Sequence, residues 1–163
     1  DTTTGNIVSL GFLILNAVGA VFPAVLSIVA KRIGRVRTYT AALAFSAIGY
    51  FYIAFFGRYE ANFYFGMFLT GIGWSAVISI VFSIVTERVN QNKMGLFMGI
   101  FNLAVVLPQM MSQGVANIIS DTQNFQLLYI LCGVFITFSV FFWFFVKEPR
   151  STADEIVQAK SGH

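Results

Sequence analysis

Uncharged polar side chains recur at helical spacing inside otherwise apolar stretches of this sequence. Asn102 and Gln109 lie seven residues apart, and Gln113 follows four residues later, so the three carboxamides share one face of a helix. Carboxamides donate and accept hydrogen bonds without carrying charge, which suits the recognition of a neutral, polyhydroxylated ligand. The alternative is a polar lock, in which these groups only bind a neighbouring helix.

Two further stretches carry side chains of the same kind. Asn16 lies in the middle of an apolar run, on the helical face that also holds Pro23. Trp74 lies halfway along another run and is followed by Ser75, the first member of a serine stripe. An indole can stack on the flat apolar face of a sugar ring while its N–H donates a hydrogen bond. The alternatives are that Trp74 only packs against a neighbouring helix and that the serine hydroxyls only donate to carbonyls of their own helix.

The elements that must position these residues are long apolar helices. A bilayer core requires about 20 consecutive apolar residues in a helix, whereas β-barrel strands are about ten residues long and alternate. Only 10% of the residues are charged, against about 25% in soluble domains. The sequence therefore predicts an all-α membrane protein. Its five predicted spans contain no charged residue and are Ile7–Ala30, Tyr39–Phe56, Phe63–Thr86, Met94–Ile119 and Phe125–Val146.

Positive charge predicts the orientation of these spans. The connections are short, so consecutive helices are expected to be antiparallel. Nine of the ten Lys and Arg residues then fall on one side, and only Arg58 falls on the other. The positive-inside rule makes the richer side cytoplasmic. We expect a multi-pass protein of the inner or plasma membrane, with its N-terminus outside and residues 147–163 as a cytoplasmic tail.

Polarity also predicts which spans lie inside the bundle. The first, third and fourth spans carry the polar stripes and are predicted to form its core. The second and fifth spans lack a comparable stripe, and the fifth ends in a run of aromatic residues from Phe141 to Phe145. These two spans are predicted to lie at the lipid-facing periphery.

Several functions are not expected from this sequence. Cys132 is the single cysteine, the single histidine is the terminal His163, and no metal-ligand spacing is visible. No nucleophile–base pair or phosphate-binding loop indicates an enzyme, and no cofactor is expected. The net charge of +3 comes from the loops, so nucleic-acid binding is not expected either.

The basic loop from Ala30 to Arg37 resembles the cytoplasmic D-R-x-G-R-R loop of the major facilitator superfamily, with Lys31 in place of the Asp. This resemblance implies that the five helices form most of the C-terminal six-helix bundle of a twelve-helix transporter, as helices eight to twelve. The chain begins with Asp1, and we expect it to be a fragment whose partner is the missing N-terminal half of the same protein. The residues assigned to a cytoplasmic gate or loop are Arg32, Gly34, Arg35, Glu87 and Arg88. The alternative for Glu87 and Arg88 is a solvated pair that contributes under about 1 kcal/mol.

Two stretches are similar to the glycoside–cation symporters, and to the sucrose and maltose proton symporters in particular. They are the segment from Gly71 to Ala76 and the segment from Gly95 to Gln109, which follows a G-x-x-x-G-x-x-N-x-x-x-x-x-P-Q pattern. The resemblance implies alternating access, a di- or oligosaccharide substrate and H⁺ as the coupling ion. Its candidate sugar-binding residues in this chain are Asn16, Trp74, Ser75, Asn102 and Gln109.

Proton coupling normally requires an ionisable group within the membrane, and the predicted spans contain none. The coupling carboxylate is therefore expected elsewhere in the protein. Two alternatives remain open: an exporter of another small solute on the same fold, and a non-transporting membrane subunit whose polar stripes are only helix contacts.

Overall fold

A computed structural model describes residues 2–83, 91–122 and 124–147 of the 163-residue chain. Lipid offers no hydrogen-bonding partners, so long apolar segments satisfy their backbone groups internally as helices. The main helices are α1 (Thr2–Ile33), α2 (Arg35–Phe56), α3 (Glu60–Ala76), α4 (Met94–Thr122) and α5 (Phe125–Trp143). A π-helical turn, Val77–Val81, extends α3, and a 3₁₀ turn, Gln91–Lys93, precedes α4.

Within the described residues, five helices are long and apolar enough to cross a membrane, with α3 counted through Val81. The predicted all-α membrane class is therefore confirmed.

Gly34 separates the first two helices. Its φ of 98° lies in the left-handed region, which residues with a Cβ rarely adopt. The Gly34 carbonyl accepts hydrogen bonds from the Thr38 backbone N–H at 3.1 Å and from Thr38 Oγ1 at 2.7 Å. The glycine of the basic loop thus has a backbone role, because it turns the chain directly from α1 into α2.

Small residues bring α2 and α3 close together in antiparallel directions. A Cβ built on Gly49 would lie 2.9 Å from the carbonyl oxygen of Gly66, and Gly73 faces Ser46 in the same way. Ser46 Oγ also donates to the Thr70 carbonyl at 3.4 Å. Because these positions lack bulky side chains, the two backbones approach closely, as at the small-residue contacts common in membranes.

The other close contacts continue the alternation of direction. Helix α1 runs parallel to α3, where Gly71 lies against Val18. Helix α5 runs antiparallel to α2, with Gly133 against the Phe51 ring and Tyr39 against Trp143. The ring centroids of the last pair lie 4.5 Å apart.

The structure corrects the predicted position of one span. Helix α2, predicted to be peripheral, packs against α1, α3 and α5 and has ten buried residues among its 22. Helix α4, predicted to be in the core, has no residue between Met94 and Asn117 that the other described helices bury, so its position in the bundle stays a prediction. The physical reason is that lipid tails are as apolar as leucine, so apolar character does not separate a lipid-facing helix from one enclosed by helices. The alanine, glycine and serine content of α2 was a better indication that other helices enclose it.

Candidate functional site

Asn16 and Trp74 lie on one flank of the α1–α3 pair, which we call the Trp74 flank. The Trp74 ring rests on Gly19 of α1, where a built Cβ would come within 2.9 Å of Cδ1 and 3.5 Å of Nε1. Asn16 precedes Gly19 by three residues and therefore lies on the same face of α1, one turn away. Trp74 is 44% exposed and Asn16 is also exposed. The structure thus brings these two predicted site residues together on an open surface.

The Asn16 side chain is partly engaged by its own helix. Its Nδ2 donates to the Phe12 carbonyl at 2.8 Å, which uses one of the four hydrogen bonds that a carboxamide can make. The exposed amide can still form hydrogen bonds with a ligand or with another helix. This arrangement combines hydrogen-bonding groups with an aromatic face, and it carries no charge.

Ser75 follows Trp74 in sequence but is fully buried. Successive residues of a helix point about 100° apart, so Ser75 does not lie on the Trp74 flank. Its Oγ has no hydrogen-bond partner, which costs about 1–3 kcal/mol for a buried hydroxyl. In this conformation Ser75 is closed to a ligand, and its substrate role stays a prediction.

A π-helical turn begins two residues beyond Ser75. Ser79 Oγ donates to the Ser75 carbonyl at 2.6 Å, across the start of that turn. Such turns are frequent at functional sites, because they shift the register of the residues around them. The third span is therefore irregular immediately next to Trp74.

Asn102 and Gln109 occupy a second exposed surface, on α4. Among the described residues, α4 has few contacts with α5, and its link to the third span is the edge-to-face pair of Phe101 and Phe82, with ring centroids 6.4 Å apart. The structure does not bring this surface together with the Trp74 flank. Gly95 and Gly99 of α4 face open space within the described chain, since nothing lies within 4 Å of a built Cβ at either glycine.

The residues assigned to a cytoplasmic gate or loop are only partly described. Arg32 is exposed at the end of α1, Gly34 forms the junction, and Arg35 is half-buried at the start of α2. Glu87 and Arg88 lie outside the described residues, so their assignment to a cytoplasmic gate or loop stays a prediction.

Gly19 is the residue of this site whose role was not predicted. Its sequence position identified it only as a small residue on the polar face of the first span. The structure shows that its missing side chain provides the seat for the Trp74 ring. In the sequence, a small residue one turn from a mid-span asparagine indicated that a neighbouring side chain could pack there. The sequence does not say which aromatic ring occupies that position.

Long apolar helices carrying uncharged polar groups define an integral membrane protein. A family model described as Major Facilitator Superfamily matches residues 1–161. The chain therefore belongs to the major facilitator superfamily, a family of membrane transporters. No curated protein and no solved structure matches the chain.

Proposed function

We propose that the protein transports a di- or oligosaccharide, such as sucrose or maltose, by alternating access and in symport with H⁺. The observation that carries this proposal is the Trp74 flank, where an exposed indole rests on Gly19, one turn of α1 from the exposed carboxamide of Asn16. Sugars present both a flat apolar face and a ring of hydroxyls, which match these two groups.

The lack of charge in the predicted spans favours a neutral substrate. A charged solute within the bilayer would require a countercharge, because an unpaired ion is costly there. A purely apolar solute would have no need of the carboxamides Asn16, Asn102 and Gln109. An uncharged polar solute satisfies both conditions.

The exposed surface of α4 supplies the second part of the proposal. Alternating access places the substrate near the bilayer midplane, between two structural repeats. Asn102 and Gln109 are exposed, and α4 takes little part in the close packing of α1, α2 and α3. In the proposed transporter they meet substrate or the other half of the protein, and the proton-binding carboxylate lies outside the predicted spans of this chain.

The test is uptake of radiolabelled sucrose and maltose by proteoliposomes that contain the full-length protein, with an imposed inward proton gradient. We expect gradient-dependent uptake that falls at least tenfold in Trp74→Ala and Gln109→Leu. Met111→Leu is the matched control, because Met111 is 74% exposed on the same helix as Gln109 and carries no carboxamide. It should retain normal uptake.

The competing functions give different results. An exporter of another solute predicts no uptake of either sugar, with the proton gradient still dissipated when its own substrate is present. A membrane subunit without transport activity predicts that Gln109→Leu changes only stability or helix association. Uptake that is unaffected by both substitutions would remove Trp74 and Gln109 from the substrate site.

A further inference from the structure

One end of the bundle, which we call the basic end, carries a concentration of exposed cations. It comprises the end of α1, the start of α2 and residues 144–147, which follow α5. Lys31, Arg32, Arg37 and Lys147 are exposed there. No Asp or Glu occurs among the described residues of this end, whereas at the opposite end Arg58 lies two residues before Glu60, the first residue of α3.

A shared apolar cluster holds these cations close to one another. Leu26 of α1, Tyr39 of α2 and Ile80 of the π-helical turn are buried in it, and Trp143 of α5 packs against it. Lys31 follows Leu26 by five residues. Since a helix rises 1.5 Å per residue, the charges carried by α1 and α2 lie within one or two turns of the same cluster.

Exposed apolar side chains adjoin these cations. Phe144 and Phe145 are 75% and 71% exposed, three and two residues before Lys147, and Ile33 is 46% exposed immediately after Arg32. A soluble anion would use the cations but would leave these rings unpaired. A phospholipid supplies a phosphate for the cations and an acyl chain for the rings.

The position of the basic end also favours a lipid. It lies where apolar spans end, which is the depth of the headgroups in a bilayer. The cytoplasmic leaflet carries anionic lipids, and each Lys or Arg close to such a surface adds attraction. Trp143 and Tyr39 lie at the same level, where aromatic side chains are enriched in membrane proteins.

We propose that the basic end is a binding surface for an anionic phospholipid, with its phosphate at Lys31, Arg32 and Arg37 and an acyl chain along Phe144 and Phe145. The inference rests on the chain crossing the bilayer and on the proposed orientation. It does not depend on sugar being the substrate, so a failure of the transport assay leaves it standing.

The experiment titrates the purified full-length protein in detergent with fluorescent phosphatidylglycerol, and with phosphatidylcholine of the same chains. The wild-type protein should bind phosphatidylglycerol more tightly. The variant Lys31→Gln/Arg32→Gln/Arg37→Gln should lose about a hundredfold in affinity for phosphatidylglycerol, or about fivefold for each cation. The charge-preserving variant Lys31→Arg/Arg32→Lys/Arg37→Lys should bind it as the wild type does.

Single substitutions test the location without risk to the fold. Arg37→Gln should weaken phosphatidylglycerol binding about fivefold. Arg58→Gln, which removes an exposed cation from the opposite end, should leave it unchanged. Equal losses in the two variants would contradict a site at the basic end, as would equal binding of the two lipids by the wild type.

Two further measurements distinguish a lipid from a soluble anion. Glycerol phosphate should not displace the lipid at concentrations where unlabelled phosphatidylglycerol does so, and effective displacement would overturn the lipid assignment. Phe145→Ser should weaken binding of long-chain phosphatidylglycerol while leaving a short-chain analogue unaffected. No difference between the two chain lengths would remove the acyl contact from the proposal.

Discussion

Asn16 and Trp74 belong to different helices, and Gly19 is the residue that places both side chains on one flank. Gly19 has no side chain, so the Trp74 ring can rest on the α1 backbone one turn beyond Asn16. Ser75, the neighbour of Trp74, turns into the bundle and leaves its hydroxyl without a partner. The candidate site therefore combines the space above Gly19, the Trp74 ring and the Asn16 carboxamide.

Gly19→Ala is expected to displace the Trp74 ring, because the new methyl group would lie 2.9 Å from Cδ1. We expect a shift in tryptophan fluorescence, measured in a Trp143→Phe background, and sugar uptake reduced at least tenfold. Gly5→Ala in the same helix is the control, since nothing lies within 4 Å of a Cβ there. An unchanged spectrum for Gly19→Ala would show that the ring is not seated on this glycine.

Ser75→Ala is expected to stabilise the protein by about 1 kcal/mol, because it removes a buried hydroxyl that has no hydrogen bond. The free energy of unfolding in mixed micelles, measured by denaturant titration, is the readout. Ser79→Ala provides the contrast, since it removes a hydroxyl that donates to the Ser75 carbonyl and should give no such gain. Destabilisation by Ser75→Ala would mean that the hydroxyl is bonded in the folded protein.

At the scale of elements, the described chain is organised around α2 and α3. Their contact is formed by glycine, serine and threonine, and the hydrogen bond from Ser46 to Thr70 crosses it. Association of helices in lipid relies on close packing and interhelical hydrogen bonds rather than on a hydrophobic driving force. The helix without polar stripes thus became the most extensively contacted one.

Gly49→Ala is expected to destabilise the protein by about 1–3 kcal/mol, because its methyl group would meet the Gly66 carbonyl oxygen, which belongs to the backbone and cannot rotate away. Gly99→Ala on α4 is the matched control, because nothing lies within 4 Å of a Cβ there. The higher helix propensity of alanine should then stabilise the protein by up to about 1 kcal/mol. Thermal unfolding in detergent separates the two. Equal melting temperatures for both variants would show that α2 and α3 are not in close contact at Gly49.

At the scale of the whole molecule, charge and shape are unevenly distributed. Cations concentrate at the basic end, and α4 presents an exposed face between Met94 and Asn117. The charge asymmetry underlies both the proposed orientation and the proposed lipid surface. The open face of α4 underlies the proposal that substrate or the other half of the transporter meets Asn102 and Gln109.

Orientation can be measured with a membrane-impermeant maleimide in intact cells. In a Cys132→Ala background, Arg58→Cys should be labelled from outside, and Lys31→Cys should be labelled only after the membrane is permeabilised, because the positive-rich side is retained in the cytoplasm. The opposite pattern would invert the orientation and place the basic end against the outer leaflet.

The sequence predicts the helices of this protein well, but it does not predict how they pack. The length and apolar character of each span determine that it is a helix in the membrane, because backbone hydrogen bonds in lipid must be made within the segment. The same local patterns predicted Asn16 and Trp74 as candidates for a sugar site, and their role stays a prediction.

Only the tertiary structure decided which helices are enclosed, which ring fills the gap at Gly19 and that Ser75 is buried. These outcomes depend on contacts between segments distant in sequence, where a lipid tail and an apolar side chain offer nearly the same environment. Gly49 and Gly73 allow the backbones of α2 and α3 to approach closely, and this contact can be recognised only when both helices are placed.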